Sequence, residues 1–390
     1  MRTSTRLLSV GVLWVGGFAA LRLSVLAPED CPPVSASALE HAAARGGEWI
    51  GRGQRENGRY LYEYDRSDDR IVPGYNIVRH AGVTMSLYQL AHAGHLDALP
   101  AAEEGLAVML DALVPAGEGL AYVEGGREAH LGASALMLAA LAQRREATGD
   151  GAHDREMRAL GRFLTGQITT GGQMLEAYDL TARTAVPGRT SRYATGEAAW
   201  ALAQLHNLFP GEAWGAYARE VLDYLATARD DVEGLDFAPW PDQWAAYTLS
   251  ELAPSGLDDH HVVYARSLAT RFGMLIRSES QKDGWPVPFV DPRTRGAGLG
   301  VWVEGLGALG QAAATDDRLA DLRPLIDERV TCGGALLAER QQERADAAGE
   351  ASPELVDGAW FRDGVTRMDD QQHALSGLLV AAGALGPVGR

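Results

Sequence analysis

The chain has 390 residues, of which 46% are apolar, enough to bury a large core. Its 52 acidic residues outweigh 35 Lys and Arg for a net charge of -17. No Lys/Arg-rich block of five or more residues occurs, which argues against a nucleic-acid partner because phosphate neutralisation supplies most of that affinity. Lys282 is the only lysine, so the positive charge is arginine, whose planar fork suits carboxylate, phosphate or sulfate.

The N-terminus reads Met1 to Arg6 with two arginines, then an apolar run from Leu7 to Ala20 that is interrupted at Arg22 and closes at Leu26. A charged start followed by an apolar stretch is an export signal. Pro28 directly after Ala27 disfavours cleavage there, and Cys31 lacks a lipoprotein pattern. An uncleaved membrane anchor with its arginine-flanked end in the cytoplasm is therefore expected over residues 1–34, with a cleaved signal as the alternative. Cys31 and Cys332 either pair in an oxidising compartment, pinning this segment to the end of the fold, or stay free. Two thiols cannot build a four-cysteine zinc site.

From residue 35 to 390 one form recurs. Six segments begin with a polar or aromatic cluster and run into small residues and leucine at helical spacing: Arg79 to Ala91, His130 to Ala142, Tyr193 to Leu205, Asp242 to Ala253, Gly300 to Gln311 and Asp370 to Ala382. Between them lie more amphipathic stretches, at Ser37 to Arg52, Ala101 to Leu113, Asp154 to Gln167, Glu212 to Arg229, Asp258 to Arg277 and Arg318 to Arg344. The first set suits helices packed on both sides and the second suits helices half exposed to water, so an outer ring around an inner ring is predicted. Extended Gly- and aromatic-rich connectors, such as Gly58 to Tyr64, Gly119 to Val123, Gly172 to Tyr178, Asp236 to Trp240, Asp283 to Pro286 and Asp357 to Phe361, precede the inner helices and form one rim.

This all-α arrangement resembles the (α/α)6 toroids of six helical hairpins, a superfamily of glycosidases, polysaccharide lyases and sugar epimerases that also has terpenoid and lanthionine cyclases as fold relatives. The resemblance covers residues 36–390 and rests on architecture. It implies a site at the mouth facing the N-termini of the inner helices, without choosing the chemistry.

Superposing the repeats places His80, His130 and His373 at inner-helix starts, with Arg79, Arg127, Arg192, Arg295 and Arg367 beside them. Helix N-termini add partial positive charge, so a basic mouth attracting an anionic saccharide is expected; the opposing reading pairs each arginine with a rim carboxylate. The residues expected to catalyse are Tyr75, His80 and His373 for proton exchange at a sugar carbon, and Glu176, Asp242 and Asp370 for hydrolysis. Glu63, Asp65, Asp179, Glu197 and Asp369 are further carboxylates near the rim, and any Asp or Glu at a helix start can instead be a cap. Substrate contacts are expected from Asn76, Arg79, Arg127, His130, Arg192, Tyr193, Trp240, Trp285 and Arg367, with sugar faces stacking on the aromatics. No cofactor is expected.

The sequence thus points to an extracytoplasmic carbohydrate-active enzyme, a lyase, epimerase or hydrolase, acting on an anionic glycan. A non-catalytic receptor or assembly protein for an envelope polymer is the alternative. A terpenoid cyclase comes third, since the inner helices carry no Asp-rich acid motif.

Overall fold

The structure, a computed structural model, describes residues 10–20, 29–123, 126–234, 241–282 and 293–389. Twelve principal helices follow in strict outer–inner alternation. The outer ones are α1 (Ala36–Arg52), α3 (Leu99–Leu110), α5 (Asp154–Thr165), α7 (Trp214–Thr227), α9 (Asp259–Ser280) and α11 (Arg323–Arg340). The inner ones are α2 (Ile77–His92), α4 (Leu131–Thr148), α6 (Ala194–Leu208), α8 (Gln243–Leu252), α10 (Gly296–Thr315) and α12 (Met368–Ala381). Each inner helix packs on the next, and α12 packs on α2, so the ring closes. The (α/α)6 toroid is therefore complete.

The two rings differ as their sequences require. In α4 every residue from Leu131 to Gln143 is buried, whereas α5 buries only Met157, Ala159, Leu160, Gly161, Phe163 and Leu164 along one face. Small residues set how closely inner helices approach. A Cβ on Gly300 of α10 would fall 2.2 Å from the carbonyl oxygen of His373 on α12, and one on Gly377 would fall 3.1 Å from the Gly300 Cα. Those two helices touch backbone to backbone.

The rim carries short antiparallel strands. Strand β1 (Glu63–Asp65) pairs with β4 (Val365–Arg367), setting Glu63 opposite Arg367 and latching the first hairpin to the sixth. Strand β2 (Glu128–His130) pairs with β3 (Ala177–Asp179) and joins the second and third. The expected connectors at 236–240 and 283–286 fall outside the described residues. At the opposite end the C-terminal tail crosses under the ring: Gln311 Nε2 donates to the Leu385 carbonyl at 2.7 Å, and Val388 N–H donates to Glu251 at 3.1 Å.

Cys31 and Cys332 form a disulfide, with Cα atoms 4.9 Å apart, which ties the segment before α1 to α11. Glu29 adds an ion pair to Arg329 and another to Arg277 at 3.1 Å. Residues 10–20 form an exposed helix, and among the described residues no helix is long and apolar enough to cross a membrane.

Gly300→Ala is expected to force α10 from α12, since a backbone atom rather than a flexible side chain stands in the way. Stability should fall by about 1–3 kcal/mol in denaturant unfolding, the usual cost of overpacking a dense core. Unchanged stability would mean that the two helices part freely.

Candidate functional site

A cavity of about 870 Å³ opens at the rim end of the ring, where the first turns of all six inner helices converge. Its central feature is a histidine–carboxylate pair. His373 lies in the second turn of α12, and the close approach at Gly300 brings it to Glu304 of α10, whose side chain is fully buried. His373 Nδ1 is 2.8 Å from Glu304 Oε1, and the Tyr247 hydroxyl donates to the other carboxylate oxygen at 3.1 Å. With Nδ1–H donating to Glu304, the lone pair of His373 sits on Nε2. Asp369 Oδ1 lies 3.9 Å from that atom.

Burial opposes the charged imidazole of His373, but the charge and hydrogen bond of Glu304 outweigh it and raise the pKa. Burial likewise raises Glu304, against the pull of His373. Glu304 thus favours the charged imidazole, and the coupled pair can hold or pass a proton at Nε2. Trp200, Trp244 and Tyr247 stack beneath it, with Trp200 centred 5.3 Å from Trp244 and 4.8 Å from Tyr247, so the support is stiff.

Glu197, in the first turn of α6, is a second titratable group lining the cavity. Burial, then the nearby charge of Asp242, push its pKa up to about 8, with His373 opposing. Its carboxyl occupies the space left by Gly132, where a Cβ would come within 2.6 Å of Glu197 Oε2. A carboxyl that keeps its proton at neutral pH can serve as an acid.

The structure divides the residues singled out in the sequence. His373, Asn76, Arg79, His130, Glu176 and Tyr193 line the cavity. Asn76 also caps α2 by accepting from Arg79 N–H at 3.1 Å. Glu176 Oε1 is 2.6 Å from His130 Nδ1, and its other oxygen accepts from Arg189 at 3.0 Å.

His80 does not reach the mouth. It is wholly buried, with Nε2 2.8 Å from the Gly105 carbonyl and Nδ1 2.6 Å from the Tyr75 hydroxyl. Burial lowers its pKa to about 4, so Nε2–H donates and Nδ1 accepts from Tyr75. His80 thus joins α2 to α3, and the Tyr75 hydroxyl ties that histidine to the Tyr60 amide, from which it accepts at 3.1 Å.

Asp242 and Asp370 also differ from expectation. Asp242 caps α8 by accepting from the Trp244 and Ala245 amides at 3.0 and 3.2 Å, and it pairs with buried Arg229. Asp370 accepts from Arg295 at 3.1 Å, from the Ala297 amide at 3.2 Å and from Arg367 at 3.3 Å. Neither lines the cavity. Arg367 is held by Asp370, and Arg127 and Arg192 are exposed on the rim outside the lining. Trp240 and Trp285 lie outside the described residues.

Glu304 is the residue that sequence reading missed. Its signal was present: it is the one charged residue between Gly296 and Ala314 of α10. A single carboxylate amid Gly, Ala, Val and Leu must have a partner or a task.

No family model matches the sequence, and no curated protein matches it. Solved structures do match in shape. The D-mannose isomerase structure has 12% identity and a TM-score of 0.60, covering 91% of this chain and 100% of its own. An alpha-1,6-mannanase from Salegentibacter sp. has 13% identity and a TM-score of 0.58, covering 89% and 100%. The cellobiose 2-epimerase from Bacillus thermoamylovorans has 11% identity and a TM-score of 0.56, covering 85% and 95%. This chain shares their fold. At these identities the likeness extends to the six-hairpin toroid and leaves the chemistry to the residues in the cavity.

The raised pKa of Glu197 also bears on stability. Between its ordinary 4.5 and about 8 the folded state binds more protons than the unfolded one, so this group's contribution is complete below pH 4.5 and is lost as pH rises through 8. Glu197→Gln should therefore gain stability relative to the parent by a few kcal/mol between pH 5 and pH 9, read from urea unfolding at each pH. A difference independent of pH would place the Glu197 carboxyl in water.

Proposed function

We propose that this protein is an exported carbohydrate-active enzyme that moves a proton at the carbon beside the carbonyl of a reducing sugar, as in aldose–ketose isomerisation or 2-epimerisation. The observation that carries the reading is His373, held by buried Glu304 and presenting Nε2 to the cavity. In the open-chain sugar, Nε2 takes the C2 proton and the electron pair moves into an enediolate. Glu197, neutral at the working pH, donates a hydrogen bond or a proton to the oxygen that gains charge. Return of the proton from His373 to C1, with the O2 proton passing to the Glu197 carboxylate, gives the ketose, and return to the other face of C2, after the intermediate has turned in the cavity, gives the epimer.

Structures similar in shape include a D-mannose isomerase, a cellobiose 2-epimerase and a sugar epimerase, whose names fit this chemistry. The sugar is read as neutral, in place of the anionic glycan expected from the sequence. Arg79 lies 3.6 Å from Asp369, and Glu176, Glu197 and Asp369 line the cavity beside Arg79, His130 and His373, so the mouth has no excess of positive charge. Export is supported by the Cys31–Cys332 disulfide, a bond that persists in oxidising compartments. Attachment to a membrane through the N-terminal segment remains part of the proposal.

Hydrolysis is the second reading. Glu197 and Asp369 both line the cavity and could act as acid and base, and a mannanase of this fold has been solved with alpha-1,6-mannotriose.

Incubation in deuterated water with mannose, glucose, reducing disaccharides, alpha-1,6-mannooligosaccharides and uronic acids, read by mass spectrometry and NMR, tests these readings. Deuterium at C1 or C2 of a neutral sugar is expected. His373→Ala should lower the rate by about 10²–10⁴-fold, the usual contribution of a general base. Glu304→Gln should lower kcat with little change in KM, because the base loses its orienting partner. Cleavage without deuterium at carbon selects hydrolysis, turnover of uronic acids alone restores the anionic substrate, and binding without chemistry leaves a receptor.

A further inference from the structure

The outer face carries a cluster that the cavity does not use. Asp223 on α7 and Asp258, His260 and His261 at the start of α9 bring four candidate ligand atoms within 4.8 Å of one another. His260 Nε2 lies 2.6 Å from Asp223 Oδ1, and His261 Nε2 lies 2.8 Å from the same oxygen. Only the first contact is a hydrogen bond. His261 is wholly buried, and its Nε2 has no partner in hydrogen-bonding geometry. A buried imidazole nitrogen aimed at an oxygen already engaged by another imidazole carries a desolvation cost that ordinary capping of α9 does not explain.

The geometry points to a site for a divalent transition-metal ion of the zinc type, bound by Asp223, His260 and His261. Two imidazoles and one carboxylate suit a borderline cation such as zinc and do not suit magnesium or calcium, which take oxygen ligands. His261 Nδ1 now accepts from the Asp258 amide at 3.3 Å and lies 3.7 Å from the Asp258 carboxylate. Metal binding at Nε2 shifts the His261 proton to Nδ1, which then donates a hydrogen bond to the Asp258 carboxylate in place of accepting from the Asp258 amide. The shift releases no net proton from this ring. His260 and Asp223 have side chains 41% and 51% exposed, which leaves an entry path from solvent. None of the four residues lines the cavity, so the ion would clip two outer helices and take no part in the sugar chemistry.

The test uses the full chain, stripped with chelator and titrated with zinc chloride by calorimetry and by thermal unfolding. One equivalent is expected to bind and raise Tm, since a ligand of the folded state stabilises it. Asp223→Ala and His260→Ala, both at exposed side chains, should each weaken binding by at least about tenfold and abolish the rise in Tm. His92→Ala, an exposed histidine elsewhere, should leave both unchanged. No zinc binding, or zinc binding equal in the parent and both ligand variants, overturns the site. Sugar turnover is indifferent to this result, so the two proposals fail separately.

Discussion

The distance between α10 and α12 governs the mouth of the ring. Gly300 and Gly377 let their backbones touch, and only at that spacing does the short side chain of Glu304 reach His373. A methyl group at either position would have to be absorbed by moving a helix, because the atoms it meets are backbone. Dense packing elsewhere in the inner ring serves the same end. It gives His373 one orientation, a buried acceptor on one ring nitrogen and the cavity on the other.

Much of the architecture was legible because its signal is periodic. Six small-residue helices alternating with six amphipathic ones left few alternatives to a double ring, and the helix boundaries in the sequence and structure agree to within a few residues at most ends. The cavity was less legible, since repeats align residues along the chain while a toroid brings them together across it. His80 and His373 occupy comparable places in their repeats. Yet His80 turns outward to the Gly105 carbonyl, whereas His373 meets a carboxylate contributed by the neighbouring inner helix. Asp242 and Asp370 illustrate a second limit. A carboxylate at a helix start looks the same in sequence whether it caps backbone amides and holds an arginine or faces a ligand. Glu304 could have been found by asking why an apolar helix carries one charge.

The arginines show how composition misleads about local charge. A chain this acidic with arginine near inner-helix starts suggested an island of positive potential. In the fold Arg229, Arg295 and Arg367 are held by Asp242 and Asp370, while Arg79 faces Asp369. Each such pair fixes the entry to an inner helix and spares a partly buried charge the cost of standing alone. What is left facing the cavity is close to balanced, a setting in which hydrogen-bond geometry counts for more than net charge in choosing a ligand.

The order in which the chain is made adds a last consequence. His373 lies on the final inner helix, its partner Glu304 one hairpin earlier, and the latch between β1 and β4 joins the two ends of the ring. As the polypeptide emerges from N- to C-terminus, five hairpins can be present while the mouth still lacks His373 and the ring its closing wall. The closed ring and its complete cavity therefore arrive together, with the last few dozen residues, and a chain released early would be an open crescent with its apolar inner helices exposed.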